Sequence, residues 1–371
     1  MNVLHINSNY LTSRLHENLI DKIESDTLHN TVFMPIKKET KEDFLYESKH
    51  EVYSPETFKN IDKFFFTYKQ NKVYKKLHEV VQVKEYDVVH AHTLFTDGNV
   101  ALNLLEDYGI PYTVTVRGYT DIESFFKYRI NLRKRGREIL QKASKVIFLS
   151  DLNRKQLIDR YIASETVIKN IMEKSMILPN GIDDFWFENE GTPKTLTPGE
   201  PLNFIQVGKI YKRKNILGSI EGIKKYDVES SLNVVGGIED KSYNNSIKEE
   251  KQLEVNMISQ QSREELIQLY RNNDIFIMPS YQETFGLVYP EAMSQGLPVI
   301  YSEEQGFDNQ FPDGEVGFPV DPKDPADIAH KISLILEDYE AISKRALEKY
   351  KKFNWDILSK HYIDIYKNLL K

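Results

Sequence analysis

The stretch Asp274–Ser302, "DIFIMPSYQETFGLVYPEAMSQGLPVIYS", reads as strand, loop, helix and strand in succession. "DIFIMPS" is a short apolar run, the signature of a buried strand. "YQETFG" follows as a loop at its carboxyl end. "LVYPEAMSQG" then opens a helix, with Pro290 placed early, where a missing N–H costs least. The helix ends near Gly296, and "LPVIYS" starts the next strand. Such a unit belongs to a parallel sheet, and in open parallel sheets ligands bind beyond the carboxyl ends of the strands. Glu283 and Glu291, with seven residues between them, fall in that region. Free amides around Gly286 and Leu287, with Thr284 and Phe285 before them, would favour a phosphate or a sugar hydroxyl. Glu291 has the chemistry to accept both hydroxyls of a ribose. Taken singly, each glutamate reads first as a surface acid, because charged residues are mostly exposed.

The same alternation extends in both directions. "NVLHI", "TVFMPI", "DVVHAH", "YTVTVRG" and "KVIFLS" read as strands, with helical stretches such as "NVALNLLEDYG" between them. "SMILPNGID" adds a strand that ends in an Asn-Gly turn. After the Gly-, Pro- and Thr-rich run "EGTPKTLTPGEP" the pattern restarts with "NFIQVGK", "SLNVVGG" and "EVNMIS". The expected fold class is α/β: two tandem Rossmann-like doubly wound domains facing a central cleft. The expected boundaries are residues 1–185 for the first domain, 186–200 for a linker and 201–354 for the second. The tail helix 355–371 is expected to pack back on the first domain.

Bulk properties exclude several classes. A chain of 371 residues is long for one core. A net charge of −7 does not suit coating nucleic acid. There is no cysteine, which removes disulfides, thiol nucleophiles and thiolate metal sites. The N-terminus has no signal-peptide pattern, and no stretch approaches the roughly 20 apolar residues of a spanning helix. The expected location is the cytoplasm, including the cytoplasmic face of a membrane. No metal-ligand spacing stands out, so neither a metal nor a cofactor is expected.

The whole string E-T-F-G-L-V-Y-P-E-A-M-x-x-G-x-P-V-I resembles the donor-sugar signature of retaining glycosyltransferases of family 4, which have the GT-B fold. "FIQVGKIYKRKN" resembles that family's phosphate-binding loop, with Gly208, Lys209 and Lys214 in the matching places. Lys209 stands where the family more often has Arg; Arg213 is a neighbour able to compensate. "VNMISQQSREELIQLYRNNDIFIMPS" resembles the base-binding stretch, which puts the backbone of Ile258 and Ser259 at the nucleobase edge. "ILPNGID" resembles the element that leaves the first domain. The resemblance covers nearly the whole second half and is thinner in the first.

It implies transfer of a sugar from a nucleotide diphosphate donor, a UDP-sugar in the first instance, to a hydroxyl acceptor. Retention by front-face attack, independence of metal and a setting in bacterial surface polysaccharide or glycolipid synthesis follow from the same resemblance. Lys209 and Lys214 would hold the diphosphate, Glu291 the ribose, and Glu283 the donor sugar. In the first half the signals differ. The first strand-to-helix loop has no glycine and offers Asn7, Asn9 and Thr12 to the acceptor side. Arg117 stands where the family tends to have a His near the reacting sugar; an arginine cannot be a base. It suits charge stabilisation, with His92 as a further catalytic candidate and His90 as an acceptor-side one. The basic segment 127–145, preceded by Phe125 and Phe126, reads either as a solvated helix or as a peripheral membrane contact. The rival functions are a UDP-sugar 2-epimerase of the same architecture and a non-catalytic two-domain sugar-binding protein.

Overall fold

A computed structural model describes residues 1–38, 44, 46–226 and 228–371. It divides into two units, Met1–Gly181 with Trp355–Lys371, and Ile182–Asn354. In the first unit the strands are β1 (Asn2–Ile6), β2 (His29–Phe33), β3 (Ile36–Lys37), β4 (Glu51–Tyr53), β5 (Glu56–Phe58), β6 (Val88–Ala91), β7 (Tyr112–Val116), β8 (Lys145–Phe148) and β9 (Ser175–Ile177). Seven of them form one parallel sheet in the order β4-β2-β1-β6-β7-β8-β9, and β3 pairs with β5. β6 and β7 are buried along their whole length, so even the polar His90, Thr113 and Thr115 on them are enclosed.

The second unit carries β10 (Leu202–Val207), β11 (Ser230–Val235), β12 (Glu254–Ile258), β13 (Ile275–Met278), β14 (Val299–Ser302) and β15 (Gly317–Val320). Their order, β12-β11-β10-β13-β14-β15, is that of a doubly wound sheet. The strand order reverses between β1 and β6 in one unit and between β10 and β13 in the other. Those are the places where a parallel sheet opens a crevice for ligands.

Local signals place the helices. Gly109 ends the helix Thr96–Tyr108 in the left-handed conformation at φ 73°. Ser262 and Glu265 close a capping box on Arg263–Arg271. Asp324 caps Pro325–Glu337. The helix Trp355–Asn368 packs on Leu15–Ile23 within the first unit. Trp355, Leu358, Tyr362 and Tyr366 are buried there.

Two expectations are corrected. Residues 186–200 are not a free linker. Trp186 is buried, the Gly191 amide donates to Ser294 O, and the Lys194 amide donates to Ser343 Oγ. The segment is a strap on the second unit, because its backbone donors find acceptors there. The basic segment 127–145 is not one helix, and Phe125 and Phe126 before it are not surface anchors. Phe126 is wholly buried and Phe125 stacks on Phe95 at 4.6 Å. A short 3-10 turn, Ile130–Leu132, precedes the helix Arg133–Lys142. Its arginines turn inward: Arg133 donates to Phe126 O, and Arg135 to Asn99, Asn103 and Glu138.

Candidate functional site

In the second unit, β10 and β11 end in glycines that abut. Gly208 and Gly236 have φ 146° and 157°, and a Cβ on Gly236 would lie 2.0 Å from Gly208 O. Only glycine tolerates both the conformation and the approach. Beside them lies a cavity of about 300 Å³, walled by Gly208, Lys209, Gly237, Gln260, Gln261 and Leu266 among others. Ile258 and Ser259, the expected base contacts, stand at and just after the end of β12, next in sequence to the wall residues Gln260 and Gln261. Ile258 O is taken up by the Gly236 amide and Ser259 O by the Gln261 side chain, which leaves Gln260 and Gln261 on the wall.

Lys214 lies over Gly208; a Cβ there would be 3.4 Å from Lys214 Cε. Its ammonium donates to Glu283 Oε2 at 2.6 Å, and both side chains are 15% exposed. The Thr284 amide donates to the other Glu283 oxygen, and the Glu283 amide donates to Gln305. The fold thus joins residues 69 positions apart into one ion pair at the carboxyl ends of β10 and β13. Lys209 differs: it is 70% exposed and reaches only Glu239, at 3.3 Å. Arg213 stacks on Tyr211 and donates to its hydroxyl, so its guanidinium is drawn toward its own loop.

The loop 281–287 is shaped from below. Gly286 has φ +82°, and a Cβ there would meet the Tyr289 ring at 2.4 Å. Tyr289 donates to Met278 O, tying the helix Val288–Met293 to β13. Phe285, a candidate donor contact, is instead 2% exposed within an aromatic cluster with Phe307 and Phe353. Its side chain anchors the loop; any ligand contact at this position falls to the backbone. The Gly286 and Leu287 amides precede the helix and have no intrahelical acceptor. Glu291 stands in its first turn, half-buried. Burial pushes its carboxyl up to about 7, with nearby Arg263 opposing that rise.

In the first unit, a cavity of about 510 Å³ lies at the carboxyl ends of β1, β6 and β7. Asn9 and Thr12 line it, as does Ser8. Asn7 lies beneath, wholly buried, its Oδ1 accepting from the Asn9 amide. Lys37, Lys63 and Lys69 face the cavity with Phe58 and Phe125. Lys69 lies 4.1 Å from the centre of the Phe58 ring. The π-helical segment Gly118–Phe126 contributes Thr120 and Asp121.

Asp121 was not singled out from the sequence. One oxygen accepts from the Arg117 and Leu94 amides; the other has no partner and is buried. Burial pushes this carboxyl up to about 7. Asp97, which accepts from the Ser8 hydroxyl at 2.6 Å, is likewise pushed up to about 6. The sequence signal was present in "RGYTD", but only the π-helical turn brings that acid back under the end of β7.

The other expectations here give way to packing. Arg117 donates to His92 O, to Asn180 Oδ1 and, at 2.6 Å, shares a hydrogen bond with His16. Its guanidinium is a brace between the ends of β6 and β9 and the helix Leu15–Ile23. His90 is wholly buried, and both ring nitrogens are engaged, with Tyr366 and Thr115. It offers an acceptor no free edge. His92, just past the end of β6, shares a hydrogen bond of 2.9 Å with His5 and is 1% exposed, so it too is packed in the interior. Burial holds His16, His90 and His92 well below the ordinary imidazole value and His5 at about 4, so all four are neutral. His5, His90 and His92 do converge, with ring nitrogens within 4.8 Å of one another. His5 and His90 sit opposite each other in the β1–β6 register, a pairing that spacing along the chain conceals. Their nitrogens are spent on hydrogen bonds, apart from His92 Nδ1.

No helix among the described residues is long and apolar enough to cross a membrane. Residues 188–353 match the family described as "Glycosyl transferases group 1", and residues 28–184 match "Glycosyltransferase Family 4". Over 120 residues, 32% of this chain, the sequence is 33% identical to D-inositol 3-phosphate glycosyltransferase of Corynebacterium kroppenstedtii; the match spans 27% of that relative's length. The fold is similar to sucrose-phosphate synthase from Thermosynechococcus elongatus, with TM-score 0.77, 20% identity and coverage of 100% of this chain and 99% of that one. It is also similar to HepE of Anabaena in complex with UDP, with TM-score 0.73, 16% identity and coverage of 99% and 100%.

Proposed function

The chain belongs to the family 4 glycosyltransferases of GT-B fold, and we propose that it moves a sugar from a nucleotide diphosphate donor to a hydroxyl acceptor with retention of configuration. The observation that carries this reading is the Lys214–Glu283 pair. It stands beside the twin-glycine edge of a cavity, at the point where the strand order of the second sheet reverses.

On this reading the donor lies on the second unit. Its base enters the cavity between Gly237 and Gln260, and Glu291 takes the ribose hydroxyls. Lys214, with Lys209 at the rim and the Gly286 and Leu287 amides, meets the diphosphate. Glu283 orients the donor sugar and steadies positive charge that develops at its anomeric carbon. UDP is the first nucleotide to test, since the similarly folded HepE was solved with it. The acceptor lies in the first unit's cavity, where Asp121 has a carboxyl oxygen without a partner for a hydroxyl. In front-face transfer the departing phosphate oxygen takes the acceptor proton, so the protein groups mainly position and stabilise charge. The positive charge supplied by Lys214 and Lys209 supports a reaction that needs no metal. Bacterial surface polysaccharide or glycolipid assembly is the setting proposed for it.

The test is a thermal-shift screen over nucleotide sugars, followed by transfer assays with and without a chelator. A UDP-sugar should raise the melting temperature; at a hundredfold excess over its dissociation constant the gain is about 2.7 kcal/mol. No shift with any donor, and no transfer or donor hydrolysis, would leave a sugar-binding protein as the better reading. An epimer accumulating without acceptor would favour a 2-epimerase.

A further inference from the structure

Two segments of the first unit, 59–72 and 127–134, meet at the surface. Both terminal nitrogens of Arg129 lie 3.4 Å from Lys63 O, and Arg129 stands over the Phe125 ring at 5.2 Å. Phe66 and Phe125 pack edge to face beneath, at 6.1 Å. From this base six large apolar side chains point outward: Ile61 (60% exposed), Phe64 (78%), Phe65 (61%), Tyr68 (55%), Tyr128 (71%) and Ile130 (68%). Fourteen large apolar side chains are exposed among the described residues, and these are the six most exposed of them. The clustering is too tight for the scattered apolar exposure of an ordinary surface.

The charge around them is as lopsided. Residues 59–72 and 127–134 hold Lys59, Lys63, Lys69, Lys72, Lys127, Arg129, Arg133 and Lys134 against a single acid, Asp62. Eight basic residues less one acidic give +7, within a chain whose net charge is −7. Asp62 is taken up by Lys72 at 2.8 Å, and Glu123 of the adjoining segment pairs with Lys127 at 2.9 Å. Lys59, Lys63 and Lys134 face solvent as a basic rim around an aromatic centre, while Lys69 lies in the first unit's cavity and Arg133 turns inward. Aromatic rings favour the headgroup level of a bilayer, and flanking Lys and Arg are attracted by anionic lipids. A second copy of this chain fits poorly, since a two-fold contact would set this positive patch against itself.

We infer that this face docks on an anionic lipid bilayer, with Phe64, Phe65, Tyr128 and Ile130 entering the headgroup region and the basic side chains meeting lipid phosphates. Lys63, Lys69 and Phe125 also line the first unit's cavity, so that cavity lies against the docking face. The inference needs no turnover and stands apart from the transfer reading.

The test is sedimentation of the full chain with vesicles of phosphatidylcholine, with and without phosphatidylglycerol. Binding should require phosphatidylglycerol and fall with salt. The variant Phe64→Ser/Phe65→Ser/Tyr128→Ser should bind at least about tenfold more weakly. Arg129→Gln/Lys134→Gln should lose roughly 30-fold, at about fivefold per charge. Unfolding of the first unit, followed by Trp355 fluorescence in a Trp186→Phe background, serves as the control for folding, because all these residues lie in that unit. Equal sedimentation of parent and variants, or no sedimentation with anionic vesicles, overturns the inference. So does self-association that the aromatic variant abolishes, seen by light scattering without vesicle binding.

Discussion

Two lysines of the phosphate-binding loop look alike in sequence, yet the structure predicts unequal roles. Lys214 is 15% exposed and holds Glu283 at 2.6 Å; Lys209 is 70% exposed and holds Glu239, itself 51% exposed, at 3.3 Å. A charged hydrogen bond in a partly dry site contributes about 1.5–3 kcal/mol. That is roughly 10- to 150-fold in dissociation constant. An exposed contact is screened to below about 1 kcal/mol, or about fivefold. Isothermal titration with UDP should therefore show Lys214→Met weakened by roughly 10- to 150-fold and Lys209→Met by no more than about fivefold. Lys214→Met also strands the Glu283 carboxylate with the Thr284 amide as its remaining donor. The cost is about 1–3 kcal/mol. In a unit of this size that is a fall in melting temperature of roughly 3–10 °C. Adding Glu283→Gln removes the stranded charge, so the double variant should recover most of the melting temperature but none of the UDP affinity. Equal losses for the two lysines, or UDP binding restored in the double variant, would refute the reasoning.

Acid should destabilise the first unit. His5 titrates at about 4, and His16, His90 and His92 well below 6.5, because burial disfavours their charged forms. Unfolding returns them to about 6.5. The unfolded chain then binds more protons in that window, so their contribution is present above about 6.5 and lost as pH falls toward about 4. Asp97 and Asp121, raised to about 6 and about 7, run the other way, but they are two groups against four. Trp355 belongs to the first unit and Trp186 to the second, so urea unfolding of a Trp186→Phe variant reports the first alone. A midpoint that stays level or rises from pH 7 to pH 5 would contradict the sign. Arg117→Lys should cost the first unit about 2–4 kcal/mol, since one ammonium cannot replace a fork reaching three acceptors; UDP affinity should be unchanged. A variant of normal stability that has lost transfer would return Arg117 to the chemistry.

The sequence by itself determined the architecture and the second unit's ligand edge. The central parallel strands are buried on both faces and draw on apolar and β-branched residues, and several loops at their carboxyl ends carry glycine or capping residues. That logic is local, so the strand–loop–helix reading of 274–302 was legible along the chain, while Gly208, Lys214, Glu283 and Glu291 were grouped by the family resemblance. Side-chain partnership is not local. Only the strand order puts His5 opposite His90, and only then is the "HAH" run seen to be sealed in the sheet. Only the π-helical turn after β7 buries Asp121 beneath the Arg117 amide and commits the Arg117 guanidinium to bracing. Of the three consecutive phenylalanines at 64–66, the end of one 3-10 turn and the start of one helix turn Phe66 inward and leave Phe64 and Phe65 outside. Composition sees three equal rings there; direction is conferred by the backbone around them.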